Sequence, residues 1–152
     1  MSTGLAPTAA VPPGGTRARS FLAFDFGTAR VGVASGNTVL GQARPLRTLA
    51  VTGDARWAAI AQLLAEWQPD ALVVGLPFHP DGQAHDNTRR AQRFANQLQG
   101  RFRLPVHLVD ERYTTTEALA AGAKDADAAA AAVILDDFLR ALTRPEEPPA
   151  PC

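Results

Sequence analysis

Sulfur is almost absent from this chain: its 152 residues include one cysteine, Cys152, and one methionine. A lone cysteine excludes disulfides within the chain and any cysteine-built metal site. Lysine is equally scarce, a single Lys124 against fourteen arginines. No apolar run reaches the ~18 residues that a membrane-spanning helix requires. The first twenty residues lack the charged start and apolar stretch of a secretory leader. A cytoplasmic protein without membrane attachment is therefore expected. Apolar residues at 46% and charged residues at 20% are ordinary for a globular protein, and the length suits one domain with a full core.

A net charge of zero conceals a division. Residues 1–103 carry eleven arginines and six acids, whereas residues 104–152 carry four basic residues and nine acids. Such asymmetry points to nucleic acid or to a metal site. Arginine forks match phosphate oxygens bidentately, although a GC-rich genome produces the same bias.

Residues 1–19 are rich in Pro, Gly, Ala and Thr, and residues 144–152 read RPEEPPAPC. Both are expected to be disordered ends, leaving a folded unit over 20–143. Phe21–Phe26 and Val31–Ser35 read as antiparallel strands joined by a tight turn at Gly27, Thr28 and Ala29. Gln42–Leu49 supplies a third strand, with Pro45 at an edge or a bulge. Asp54–Trp67 reads as a helix with Asp54 as N-cap and an apolar stripe of Trp57, Ile60, Leu64 and Trp67. Ala71–Leu76 is apolar throughout, as a central strand covered on both faces should be. A helix over 87–99 buries Ala91, Phe94, Ala95 and Leu98. Val106–Val109 is a fifth strand. Thr114 and Glu117 form a capping box for a short helix, and a last helix covers 126–142 with Ala130, Ala131, Ile134 and Phe138 inward. A three-stranded antiparallel meander followed by two parallel strands alternating with helices gives an α/β domain. Its five-stranded mixed sheet has helices on both faces.

Three acidic positions stand where chemistry collects in such a fold. Asp25 lies between two phenylalanines at the end of the first strand, where burial without a partner is costly; capping of the following turn accounts for it equally well. Asp110 and Glu111 follow the fifth strand, and ligands gather at the carboxyl ends of strands in α/β sheets. Alternation lets only one of that pair face Asp25, and an ordinary loop with Glu111 paired to Arg112 is the plainer account. Asp127 lies seven residues before Ile134 and eleven before Phe138, on the buried stripe, in a first turn that favours negative charge for purely structural reasons too. Asp125 competes for its role but falls on a different stripe. Carboxylates sharing one site repel unless a cation compensates, and Mg²⁺ or Mn²⁺ prefers such oxygen ligands. Two such ions about 3.5–4 Å apart suit phosphodiester cleavage. Gly75-Leu76-Pro77 and Asp81-Gly82 bound a loop opening onto the same edge. Arg89, Arg90 and Arg93 offer a phosphate-binding face that a merely solvated helix would also show. His79, His85 and His107 have no ligand spacing.

These residues together resemble the YqgF/RuvX family, described as pre-16S rRNA nucleases and as Holliday junction resolvases. The resemblance runs through Ala23-Phe24-Asp25-Phe26-Gly27-Thr28, Val31-Gly32-Val33-Ala34, Ala43-Arg44-Pro45-Leu46 and Val74-Gly75-Leu76-Pro77. It continues through Asp81-Gly82, Arg93-Phe94-Ala95, Asp110-Glu111-Arg112, Thr115-Thr116-Glu117-Ala118 and Asp127 with Ala132-Val133-Ile134-Leu135. It covers about 21–142. The resemblance implies an RNase H-like fold and a nuclease holding Mg²⁺ or Mn²⁺ on Asp25, Asp110, Glu111 and Asp127. Nucleic acid is then the partner, as pre-rRNA in ribosomal precursor particles or as branched or single-stranded DNA, with Arg30, Arg89, Arg90, Arg93 and Arg112 as its contacts. The implied role is trimming the 5′ end of the 16S rRNA precursor. Junction resolution would require a homodimer. Two departures stand out: Glu117 and Asp127 are only ten positions apart, where family members have a longer stretch, and Asp125 stands at the family's lysine position, after Lys124.

Two other functions fit parts of the pattern. Asp25-Phe26-Gly27-Thr28 also resembles the first phosphate loop of sugar kinases and actins, which close two such domains around ATP, whereas this chain holds one. A non-catalytic nucleic-acid-binding module would use the arginine helix but leave the acids unexplained.

Overall fold

The computed structural model describes residues 18–77, 86–110 and 125–143. The strands are β1 (Ser20–Phe26), β2 (Val31–Asn37), β3 (Ala43–Leu49), β4 (Ala71–Leu76) and β5 (Val106–Asp110). The helices are α1 (Gly53–Trp67), α2 (Asp86–Phe102) and α3 (Ala126–Thr143). The strands form one sheet in the order β3-β2-β1-β4-β5. β1, β2 and β3 are antiparallel neighbours, while β4 runs parallel to β1 and β5 parallel to β4. This is the mixed sheet expected from the sequence, and its central strands β1 and β4 are the ones most continuously apolar. The expected short helix from Thr114 and the chain ends 1–17 and 144–152 lie outside the described residues.

Strand alternation sorts the core into two layers. Leu22 and Phe24 of β1 face Ile60 and Leu63 of α1 and Phe94 and Leu98 of α2. Phe21 and Ala23 face Ile134, Leu135 and Leu139 of α3. Phe94 anchors the first layer, with its ring 5.9 Å from Phe24, 5.0 Å from Phe26 and 5.6 Å from Trp57. On the other face Phe138 meets Phe21 edge-on at 5.1 Å. Pro45 lies on the edge strand β3, where the register jumps between Val33 and Ala34 of its neighbour. The missing N–H of proline is harmless at such a bulge.

Helix α1 departs from its expected stripe. Arg56, Ile60 and Leu63 are buried, Trp57 and Leu64 pack on the flank of the core, and Trp67 is 39% exposed. Trp67 is the helix's last residue. The N-cap is Thr52 rather than Asp54, which sits inside the first turn as a dipole-favourable acid. Among the described residues no helix is long and apolar enough to cross a membrane.

Candidate active site

Asp25 is the last residue but one of β1 and continues the face begun by Phe21 and Ala23, the face that α3 covers. Its antiparallel partner on β2 is Gly32, with the Cα atoms of such partners about 4.5–5.5 Å apart and their side chains on the same face. What fills that place over Gly32 is the first turn of α3. A β-carbon on Gly32 would stand 1.9 Å from the Asp127 carbonyl oxygen, 2.3 Å from its carbonyl carbon and 2.9 Å from the Ala128 nitrogen. Only glycine lets the helix backbone approach the sheet this closely. The seat brings the Asp127 backbone over the strand partner of Asp25, although the two acids are far apart in sequence. A glycine between valines in a strand opposite a candidate acid was the available sign of this approach.

The neighbouring acid has a different task. Asp125 directly precedes α3, and its carboxylate accepts a hydrogen bond from the Ala128 N–H at 3.2 Å and another from the Thr48 hydroxyl of β3. Its carbonyl accepts from the Ala129 N–H at 2.9 Å. Asp125 is thus an N-cap, tied to the edge strand, with Oδ1 accepting both bonds. Beside it opens a groove of about 790 Å³ whose lining includes Arg30, Pro45, Thr48 and Asp127. A second depression, of about 320 Å³, is lined by Ser20, Asn37 and Trp67, at the opposite end of the strands from Asp25.

Asp110 ends β5 opposite Leu76 of β4 and is exposed. Val109 packs on the α3 side of the sheet, so alternation places Asp110 on the other side, away from Asp25. Glu111, Arg112, His79, His85, Asp81 and Gly82 lie outside the described residues. Among the described residues no group of three His, Cys, Asp or Glu side chains is gathered into a metal site; Asp25 is the strand partner of Gly32, and the backbone of Asp127 lies over that glycine.

Of the candidate phosphate contacts, Arg89, Arg90 and Arg93 are exposed on α2, which packs on the far layer from Asp25. Their turns nevertheless start at the same end of the sheet, because the Thr88 hydroxyl donates to the Pro77 carbonyl just past β4. Arg89 is paired with Asp86 at 3.2 Å. Arg30 stands nearer: it follows the β1–β2 turn, and its Nε lies 2.8 Å from Oδ2 of Asp127.

Sequence reasoning missed Arg56, because a long charged side chain on a helix reads as solvated. It is 7% exposed. Its Nε donates to the Val51 carbonyl at 3.0 Å and a terminal nitrogen to the Thr28 carbonyl at 3.1 Å, with the guanidinium 5.6 Å from the Phe26 ring centre. Burial lowers its pKa from the usual arginine value. Arg56 therefore fastens the turn that links Asp25 to Arg30. His107 faces α3, its ring tilted on Phe138 at 5.0 Å, with Nε2 buried and lacking a hydrogen-bond partner among the described residues. Burial, and secondly the charge of Arg19, lower its pKa.

This sheet order and helix placement define an RNase H-like fold. The T. thermophilus RuvC solved in complex with a Holliday junction substrate matches 82% of this chain and 95% of its own, with a TM-score of 0.51 and 14% identity. The chain belongs to the RuvX family, described as Holliday junction resolvase, whose profile matches residues 19–141. A relative from Albidiferax ferrireducens is 65% identical over 124 residues, covering 82% of this chain and 80% of its own. One from Polaromonas sp. is 62% identical over 134 residues, covering 88% and 97%. Both carry the name "Putative pre-16S rRNA nuclease".

Proposed function

We propose that this protein is a divalent-metal-dependent nuclease that hydrolyses phosphodiester bonds in the 5′-end maturation of the 16S rRNA precursor. The observation that best supports the chemistry is the Gly32 seat, where the Asp127 backbone rests on the strand partner of Asp25. The RNA substrate follows from the names of relatives at 62–65% identity.

The residues present fit a hard cation. Asp25 and Asp127 offer oxygen donors only, which suits Mg²⁺ or Mn²⁺, and Asp127 already attracts a positive charge in Arg30. Asp110 ends β5 on the opposite face, which leaves Glu111 as that pair's candidate for the third carboxylate. Bound ions, two in the form the reaction favours, supply Lewis-acid activation of water and of the phosphodiester. The chain's own residues do the placing. Gly32 lets the start of α3 rest on the strand beside Asp25, Asp125 and Thr48 hold that helix start, and Arg56 holds the β1–β2 turn. Arg30, Arg89, Arg90, Arg93 and Arg112 bind phosphates along the approaching strand.

The test is cleavage of a precursor 16S rRNA fragment beside a four-way DNA junction, each with and without Mn²⁺. Wild type should cut the RNA only with metal, and Asp25→Asn and Asp127→Asn should each remove cutting. Glu111→Gln should lose far more activity than Asp110→Asn; the reverse order would refute the assignment of the third carboxylate. The family description supports junction resolution as the second reading, and faster cutting of the junction by a homodimer would establish it instead. Binding without cutting under any metal would overturn the nuclease reading.

A further inference from the structure

We propose that Arg30 is a placeholder cation: it neutralises Asp127 while no divalent ion is bound, and turns to a substrate phosphate once an ion replaces it. The inference deepens the proposed function and rests on its reading of Asp25 and Asp127 as ion ligands. Three observations carry it. The Arg30 guanidinium lies 2.8 Å from the carboxylate that would hold the ion, so cation and arginine compete for one group. The Arg30 side chain is 62% exposed and that of Asp127 32%, and exposed ion pairs of this kind shift an equilibrium by no more than about two- to fivefold. The pair is therefore readily exchanged. Finally, the backbone beneath Arg30 is fixed. Arg56 binds the Thr28 carbonyl, and a β-carbon on Gly27 would meet the Arg30 carbonyl oxygen at 2.5 Å, so the turn has no slack. Exchange is a rotation of one side chain, with no movement of the loop.

Arg30 lines the groove beside Asp127, and a fork released there has the geometry that matches a phosphate. Ion and nucleic acid then reinforce each other through one arginine. By linkage, whatever the ion gives to RNA affinity, RNA returns to ion affinity. An arginine bound permanently to phosphate would produce no such dependence.

Mn²⁺ binding is measured by calorimetry on the full chain without nucleic acid, for wild type, Arg30→Ala, Arg30→Lys, Asp25→Asn and Asp127→Asn, each first shown to melt cooperatively. Affinity for a short RNA oligonucleotide is then measured in EDTA and in Ca²⁺. Arg30→Ala should bind Mn²⁺ about two- to fivefold more tightly than wild type, with Arg30→Lys between them. In EDTA the wild type and Arg30→Ala should bind RNA equally. In Ca²⁺ the wild type should gain affinity and the alanine variant should not. Unchanged or weaker Mn²⁺ binding by Arg30→Ala, where Asp25→Asn weakens it, overturns the placeholder and leaves the ion site standing. Equal loss of RNA affinity by Arg30→Ala in both buffers also overturns it. Mn²⁺ binding indifferent to Asp25→Asn and Asp127→Asn overturns the ion site and the placeholder together.

Discussion

Replacing Gly32 by alanine adds one methyl group at the point where the helix rests on the sheet. The added carbon would stand 1.9 Å from the Asp127 carbonyl oxygen, against an ordinary contact that begins near 3.4 Å. Helix and strand must therefore separate by about 1.5 Å there, the difference between those distances. All three obstructing atoms are backbone, so no rotamer change relieves the clash. β2 is hydrogen-bonded on both sides, to β1 and β3, so the start of α3 is the part that gives way. Overpacking of this kind costs about 1–3 kcal/mol. At roughly 4 °C per kcal/mol for a domain of this size, the melting temperature falls by about 4–12 °C. The effect on activity is larger, because a misplacement of about 1 Å at a reacting centre costs on the order of a hundredfold. The assay is metal-dependent cleavage well below the variant's melting point, with Gly36→Ala as reference. A β-carbon on Gly36 would meet the Gln42 carbonyl oxygen at 2.9 Å and methyl groups of Leu135 and Leu139 at 3.0 and 3.1 Å. That lies farther along α3 from Asp127, so Gly36→Ala should cost stability without the hundredfold loss. Wild-type melting and activity in Gly32→Ala, or equal activity losses in the two variants, would refute the reasoning.

Asp125→Ala removes the α3 cap and should destabilise by about 1 kcal/mol in denaturant melts, with Asp125→Asn recovering most of it. Asp127→Asn should show the opposite profile, near-native stability with no cleavage. Gly100→Ala, on an exposed part of α2 where a β-carbon meets nothing within 4 Å, should stabilise by about 0.5–1 kcal/mol, read as a raised denaturation midpoint. His107 should make stability fall in mild acid. An unfolded histidine titrates near 6.5, and burial with the nearby Arg19 charge lowers the folded value. Between those values the unfolded chain binds a proton that the folded chain does not. The stability is therefore whole above about pH 6.5 and is lost as pH falls toward the folded value. Melting curves from pH 8 to 5 should show that slope flattened in His107→Phe; identical slopes would refute it.

The sheet was legible wherever one residue's surroundings follow from its close neighbours in sequence. The apolar run Ala71–Leu76 coincides with β4, and Pro45 announced an edge strand. The stripe linking Asp127 to Ile134 agrees with how α3 packs. Reading failed where distant segments decide. Arg56 is buried because Thr28 and Val51 present carbonyls to it, and nothing within a helical turn signals that. Helical stripes already set Asp127 apart from Asp125, but the task of Asp125 shows only once Thr48, seventy-seven residues earlier, donates to it. Asp110 and Glu111 could be reduced to alternatives by the pleat, but choosing a side needed the packing of Val109 against α3.

The contact between Gly32 and Asp127 also sets a timetable. A chain made from its N-terminus has Asp25 and Gly32 early and α3 late. Through most of synthesis, then, the strand bearing Asp25 has no Asp127 above it. On the proposed reading of Asp25 and Asp127, a nascent chain stays incapable of cutting until α3 emerges and lands on the sheet.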